Sequence, residues 1–114
     1  MARMAKPKDV LVFATSDGKE PFQDWLNGFK DSVSRLRILS RIRRLEQGNY
    51  GDCEPVGEGV SELRMFFGPG YRVYFGETAH SIVVLLCGGD KGSQKKDIKQ
   101  AKAYWQEYLT NEKL

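Results

Sequence analysis

The sequence predicts an α+β fold with the element order β-α-α-β-β-β-α, and three stretches carry that expectation. Residues 62–75 alternate apolar and polar side chains on both sides of Gly68-Pro69-Gly70, the mark of a β-hairpin. Ile82-Val83-Val84-Leu85-Leu86 runs without a polar interruption, as in a strand covered on both faces. Apolar residues elsewhere return at helical intervals, most plainly Phe22, Trp25, Leu26 and Phe29 at i, i+3, i+4 and i+7.

Taken in order, Val10–Ala14 is a short apolar run and reads as the first strand. Thr15-Ser16-Asp17-Gly18 is a turn, and Pro21 suits the first position of a helix, where its missing N–H costs nothing. Asp31 or Ser32 can cap a second helix, expected over Val33–Gln47 and stopped by Gly48-Asn49. Leu36, Leu39, Ile42 and Leu45 are assigned to its buried side, and Arg37, Arg41 and Arg44 to the opposite side, with Arg35 packing its stem near the helix start. Tyr50–Gly59, with three glycines, a proline and three acids, reads as a loop. The hairpin and the strand ending at Cys87 follow, and Gly88–Ser93 connects to a last helix capped by Ser93. Ile98, Ala101, Tyr104, Trp105, Tyr108 and Leu109 share one side of that helix. No repeat or linker divides residues 1–114, so one domain is expected.

Composition narrows the function. The net charge of +3 permits a nucleic-acid partner without requiring one. No apolar run is long enough to cross a bilayer, and the basic Met1–Asp9 segment lacks the apolar stretch of a secretory leader, so a cytoplasmic protein with no membrane partner is expected. Cys53 and Cys87 then read as free thiols. A single histidine, His80, argues against a His-based triad or a zinc cluster. There is no phosphate-cradling Gly-rich loop with its lysine and no dinucleotide fingerprint, and Asp52, Glu54 and Glu58 are too loosely grouped for two-metal chemistry. No metal and no cofactor is called for.

The residues that could carry chemistry gather around the hairpin. Pairing Phe67 with Tyr71 would set Arg64 opposite Tyr74 and Arg72 opposite Phe66. Two cations and two aromatic rings then share one face, and Leu63, Met65, Val73 and Phe75 share the other. Fixed guanidinium groups bind phosphate bidentately, and rings offer stacking faces to unpaired bases. The same pattern also describes a solvated face whose arginines pair with acids such as Glu62 or Glu77. Lys91, beside the start of the last helix, adds positive potential, and Lys95 and Lys96 oppose that helix dipole, an arrangement an arriving anion would relieve. Arg37, Arg41 and Arg44 read either as an ordinary solvent face or as a diffuse RNA contact.

Leu63-Arg64 with Gly68-Pro69-Gly70-Tyr71-Arg72-Val73-Tyr74 resembles the central hairpin of the RelE/ParE superfamily toxins of bacterial toxin–antitoxin systems. The run Val84–Ile98, through Cys87-Gly88-Gly89-Asp90-Lys91, is similar to the addiction-module killer, HigB-like subgroup, as are Phe22–Leu26, Gly48–Asp52 and Pro55–Gly59. The resemblance implies a mostly antiparallel four-stranded sheet with two N-terminal helices on one face and a C-terminal helix. It implies a metal-independent endoribonuclease that cleaves mRNA on the ribosome and blocks translation. A co-encoded antitoxin, a small helix-turn-helix protein, would silence it, and DNA would be met only through that complex. The implied roles place Arg64 and Arg72 on the scissile phosphate with Lys91 as a supporting cation. Phe66, Tyr71, Lys95, Arg37, Arg41 and Arg44 would contact RNA. One departure stands out: RelE-like nucleases follow the last strand with Gly-His-Arg and then a tyrosine that moves a proton. Here Gly89-Asp90-Lys91 stands there, with Gln94 or Lys95 near the tyrosine position. Asp90 then becomes a candidate base or orienter, and Tyr74 or Tyr71 a substitute for the tyrosine. The same fold also hosts ParE-like inhibitors of DNA gyrase, and an inactive relative could serve as a co-repressor.

Overall fold

A computed structural model describes residues 7–112. Of the basic Met1–Asp9 segment, all but Pro7, Lys8 and Asp9 lies outside the described residues. Five strands form one mixed sheet in the order β1-β5-β4-β3-β2. They are β1 (Asp9–Val12), β2 (Cys53–Gly57), β3 (Val60–Arg64), β4 (Arg72–Glu77) and β5 (Ile82–Gly89). β1 runs parallel to β5 and the remaining pairs are antiparallel. Helices α1 (Pro21–Asn27) and α2 (Ser32–Glu46) cover one face. A 3-10 turn at Lys91–Ser93 leads into α3 (Gln94–Glu112), which covers the other. No helix among the described residues is long and apolar enough to cross a membrane.

The α+β class and the helix order agree with the sequence, but the sheet has five strands rather than four. The extra strand, β2, lies within the segment read as a loop. Its Pro55 cannot donate to a ladder, and an edge strand, where one side needs no donor, accommodates it. The pairing with β3 shifts register between Pro55 and Gly57, so the strand is also kinked.

The hairpin departs from expectation by two residues. Glu62 pairs with Tyr74, Leu63 with Val73, and Arg64 with Arg72, rather than Arg64 with Tyr74. The reversal spends five residues, Phe66–Gly70, closed by Met65 N–H donating to Tyr71 C=O at 2.9 Å, with Gly68 and Gly70 both left-handed. A slip of two keeps every side chain on its face, so the facing assignments survive. Phe66 does not: it leaves the sheet, lies 86% exposed on the turn, and never stands opposite Arg72.

Two tryptophans set the packing on opposite faces, each over a strand glycine. Trp25 lies on Gly88 of β5, where a Cβ would come within 2.3 Å of the ring. Trp105 lies on Gly76 of β4, where a Cβ would come within 2.4 Å. Any larger residue would lift the helix off the sheet. In α2 the buried side chains are Ile38, Ile42 and Leu45, whereas Leu36 is 63% exposed and Leu39 is also exposed. The expected set (36, 39, 42, 45) is corrected because a constant three-residue step drifts around a helix of 3.6 residues per turn. A step of four then three holds the inward stripe.

Near the far end of β4, Lys8 Nζ lies 2.9 Å from Glu77 Oε2, Tyr50 donates its hydroxyl to Glu77 Oε1, and Lys8 also sits over the Tyr50 ring. Burial opposes the Glu77 charge, but the bonds from Tyr50 and Lys8 prevail and hold its carboxyl below the ordinary range. The Glu77 bond, reinforced by Tyr50, raises Lys8. The depressed carboxyl contributes stability above the ordinary carboxylate range and loses it as pH falls through the lowered value. The raised ammonium contributes below the ordinary lysine range and loses it as pH rises through the raised value. Wild type should therefore exceed Glu77→Gln by ~1–2 kcal/mol between about pH 5 and pH 10, the gap closing on either side. Urea titrations of both proteins across pH would show a constant difference if these ionisations carry no stability.

Candidate anion site at the end of the β3–β4 ladder

Arg64 and Arg72 face each other as the last pair of the β3–β4 ladder. Like charges directly opposite repel, so something must hold them. That group is Glu62, two residues before Arg64 on the same face and 2% exposed. Its Oε2 accepts from the Tyr74 hydroxyl at 3.0 Å and from Gln94 Nε2 at 2.8 Å, and lies 3.3 Å from Arg72 Nε. Its Oε1 is 4.0 Å from Arg64 Nε. Among the described residues, the buried Nε atoms of both arginines have no hydrogen-bond partner. Charge rather than bond geometry therefore ties them to Glu62.

Outward, Arg64 reaches Glu54 Oε1 at 2.8 Å and Asp52 Oδ1 at 3.3 Å, and the Glu54 bond holds its guanidinium above its ordinary value. Arg72 donates from Nη1 to Gly70 C=O at 2.7 Å, fixing the guanidinium to the turn. The Arg64 side chain is 29% exposed and that of Arg72 12%. Lys91 is exposed alongside, its N–H directed to Pro69 C=O at 3.4 Å.

The expected open face is therefore half closed. Residues 64, 72 and 74 do share a side, yet α3 covers it, and Tyr74 is 0% exposed. Burial, followed by the neighbouring Glu62 charge, pushes the Tyr74 hydroxyl far above the ordinary phenol range. Asp90 caps the 3-10 turn, its Oδ1 accepting from Gly92 N–H at 2.8 Å and Ser93 N–H at 3.1 Å. Tyr71 stands on the α1 side, wedged against Phe29, Phe67 and Trp25 with its ring edge-on to all three. Arg41 is corrected from the outer face. Its guanidinium turns inward over Gly51 to the carbonyls of Tyr50, Asp52 and Arg64, holding the segment that carries Asp52. Arg37 lies 5.0 Å over the Phe67 ring. Arg44 joins Arg41, Gly51, Asp52, Met65, Phe66 and Phe67 around a shallow cleft beside Arg64. Lys95 is exposed in the first turn of α3, on the far side of the Lys91–Ser93 turn.

Of the two readings of the hairpin face, acid pairing describes Glu62, while Glu77 belongs to the opposite side. Gln94, and the closeness of Asp52 and Glu54 to Arg64, were not foreseen. The position of Glu62, in phase with Arg64 and Tyr74, was the available signal; β2, which brings Asp52 and Glu54 alongside, gave none. Neither thiol is a ready nucleophile: burial pushes Cys87 up to about 12 and also raises Cys53. Among the described residues, no three His, Cys, Asp or Glu side chains converge as a metal set.

The assembly can offer a polyanion two guanidiniums and the exposed Lys91 ammonium, once Glu54 and Asp52 give way. No family model matches the chain. Over 86 residues it is 49% identical to an uncharacterized protein of Haemophilus influenzae, an alignment spanning 75% of this chain and 87% of that protein.

Proposed function

The chain belongs to the same family as that Haemophilus influenzae protein, and we propose that it is the toxin of a toxin–antitoxin module, a metal-independent endoribonuclease acting on mRNA at the ribosome. The reading is carried by one observation: Arg64 and Arg72 are held opposite each other by a buried carboxylate, against the repulsion that would separate them. The arrangement fixes two guanidiniums side by side at the end of the ladder, the spacing a bidentate phosphate contact uses. In the proposed reaction a ribose 2′-oxygen attacks the adjacent phosphorus, the bond to the 5′-oxygen breaks, and the two arginines meet the extra phosphoryl charge. Lys91 supports them. Glu62, Tyr74 and Gln94 keep the guanidiniums aimed; once the phosphate displaces it from Arg64, Asp52 or Glu54 takes the 2′-hydroxyl proton, and the departing 5′-oxygen gains a proton from the same carboxyl or from water. Phe66 offers its bare ring to a base next to the scissile phosphate. The proposed setting is cytoplasmic, with a small helix-turn-helix antitoxin as partner.

Induced expression followed by mapping of cellular RNA ends tests the reading. New cuts within translated codons are expected. Arg64→Ala and Arg72→Lys should each lower cleavage by about 100-fold or more while circular dichroism stays that of wild type. Arg72→Lys is chosen because it keeps a charge for Glu62. Uncut RNA in arrested cells would reject the nuclease. The ion pairs that Arg64 makes with Asp52 and Glu54, and Arg72 with Glu62, favour a second reading, a gyrase inhibitor without nuclease activity, and loss of supercoiling with intact mRNA would select it.

A further inference from the structure

Helix α2 has a second face that neither the core nor the arginine pair uses. Ile38, Ile42 and Leu45 point into the sheet, which directs Val33, Leu36 and Ser40 the other way, with Leu39 at their border. Val33 is 60% exposed, Leu36 63% and Leu39 38%. Three aliphatic side chains in adjacent turns thus lie open to water. Helix α2 also holds five arginines and a single acid, Glu46, its last residue. Arg35 bonds Phe29 C=O, and Arg41 the carbonyls of Tyr50, Asp52 and Arg64. Arg37, Arg43 and Arg44 are exposed, and among the described residues no carboxylate lies within ion-pair reach of any of them. Arg37 and Arg44 border the apolar stripe on its Val33 side, and Arg43 continues its line one turn beyond Leu39.

We propose that this face docks an acidic amphipathic helix of a partner protein, its aliphatic side chains on Val33, Leu36 and Leu39, its flanking carboxylates on Arg37 and Arg44, and a carboxylate at its end on Arg43. Charge complementarity decides the occupant. A second copy presenting the same face would bring six unpaired arginines together around one seam, so the surface repels itself. RNA would meet the arginines but gains nothing from aliphatic side chains, which offer no stacking face. An amphipathic helix with acidic flanks satisfies both the stripe and its borders. The stripe lies on the face of α2 turned away from the sheet that carries Arg64 and Arg72, so docking there does not depend on the nuclease reading.

The test is a titration of the 15N-labelled full chain with a synthetic helical peptide bearing leucines at i, i+3, i+4 and i+7 and glutamates on its flanks. A matched peptide with lysines in place of the glutamates and an oligouridine serve as comparisons. The glutamate peptide should bind at least about tenfold tighter than the lysine peptide, weaken with salt, and shift amides along α2. Leu36→Glu, fully tolerable on a solvent face, should weaken it by about tenfold, as should Arg43→Glu. Equal binding of the two peptides, or binding indifferent to Leu36→Glu, would overturn the proposal. So would oligouridine displacing the peptide from these residues, or sedimentation showing a dimer that Leu36→Glu dissolves.

Discussion

Glu62→Ala should destabilise the fold by about 3–5 kcal/mol, a large share of the stability a domain of this size has. The cost arises from what the carboxylate leaves behind. Without it the Arg72 side chain, 12% exposed, keeps its charge with no counter-ion, and the Tyr74 hydroxyl loses its acceptor at the centre of the α3 face. Gln94, which ties the first turn of α3 to β3, loses its acceptor as well. Attraction across the cluster does not by itself explain the size of the effect, because burying charges is expensive whether or not they are paired. An apolar substitution of both partners is therefore informative. Glu62→Leu with Arg72→Leu should recover the part of the Glu62→Ala loss that comes from the stranded charge, while the Tyr74 hydroxyl and Gln94 still lack their acceptor. Equilibrium urea unfolding of the single and double variants measures both quantities. A Glu62→Ala midpoint close to wild type would mean that water, not the carboxylate, already satisfies the arginines.

That cluster also shows how far the sequence could be read. Parity along residues 62–75 placed Glu62, Arg64, Arg72 and Tyr74 on one side correctly, because a strand alternates whatever its partner does. Parity does not reveal what covers a face. Tyr74 is sealed because Ala101 and Trp105 on α3 lie over that part of the sheet, a tertiary fact with no local sign. The register slipped by two because nothing in Phe66–Gly70 announces a five-residue reversal over a shorter one; both use left-handed glycines. β2 went unseen because Pro55 and Gly57 suppress local strand preference, and its pairing with β3 depends on a neighbour in space. The missed burial of Ile38 was an error of period rather than of information. Gly76 and Gly88 held a legible clue, since a glycine inside an apolar strand asks what approaches it closely. The answer, a tryptophan from a helix on each side, required the fold.

Trp105→Ala should cost about 3–5 kcal/mol, comparable to losing Glu62 but by a different route. The indole is 4% exposed, lies over Gly76 and Gly59, and stacks on Tyr108 with ring centroids 5.5 Å apart. Its removal opens a void between β4 and α3 that stiff strands cannot close. Gly76 sharpens the test. Its backbone is paired with Val60 on one side and Val84 on the other, so it cannot retreat from the ring. Gly76→Ala in the wild-type background should then cost about 1–3 kcal/mol through overpacking. In the Trp105→Ala background the same methyl meets empty space, so its penalty should vanish or turn into a small gain from filling the void. The coupling, read from a double-mutant cycle of urea midpoints, should be about 1–3 kcal/mol in favour of the double variant. Strict additivity would mean that the ring does not rest on β4. Helix α3 would then have no anchor holding it across Tyr74, and the cluster that fixes the arginine pair would not be sealed by it.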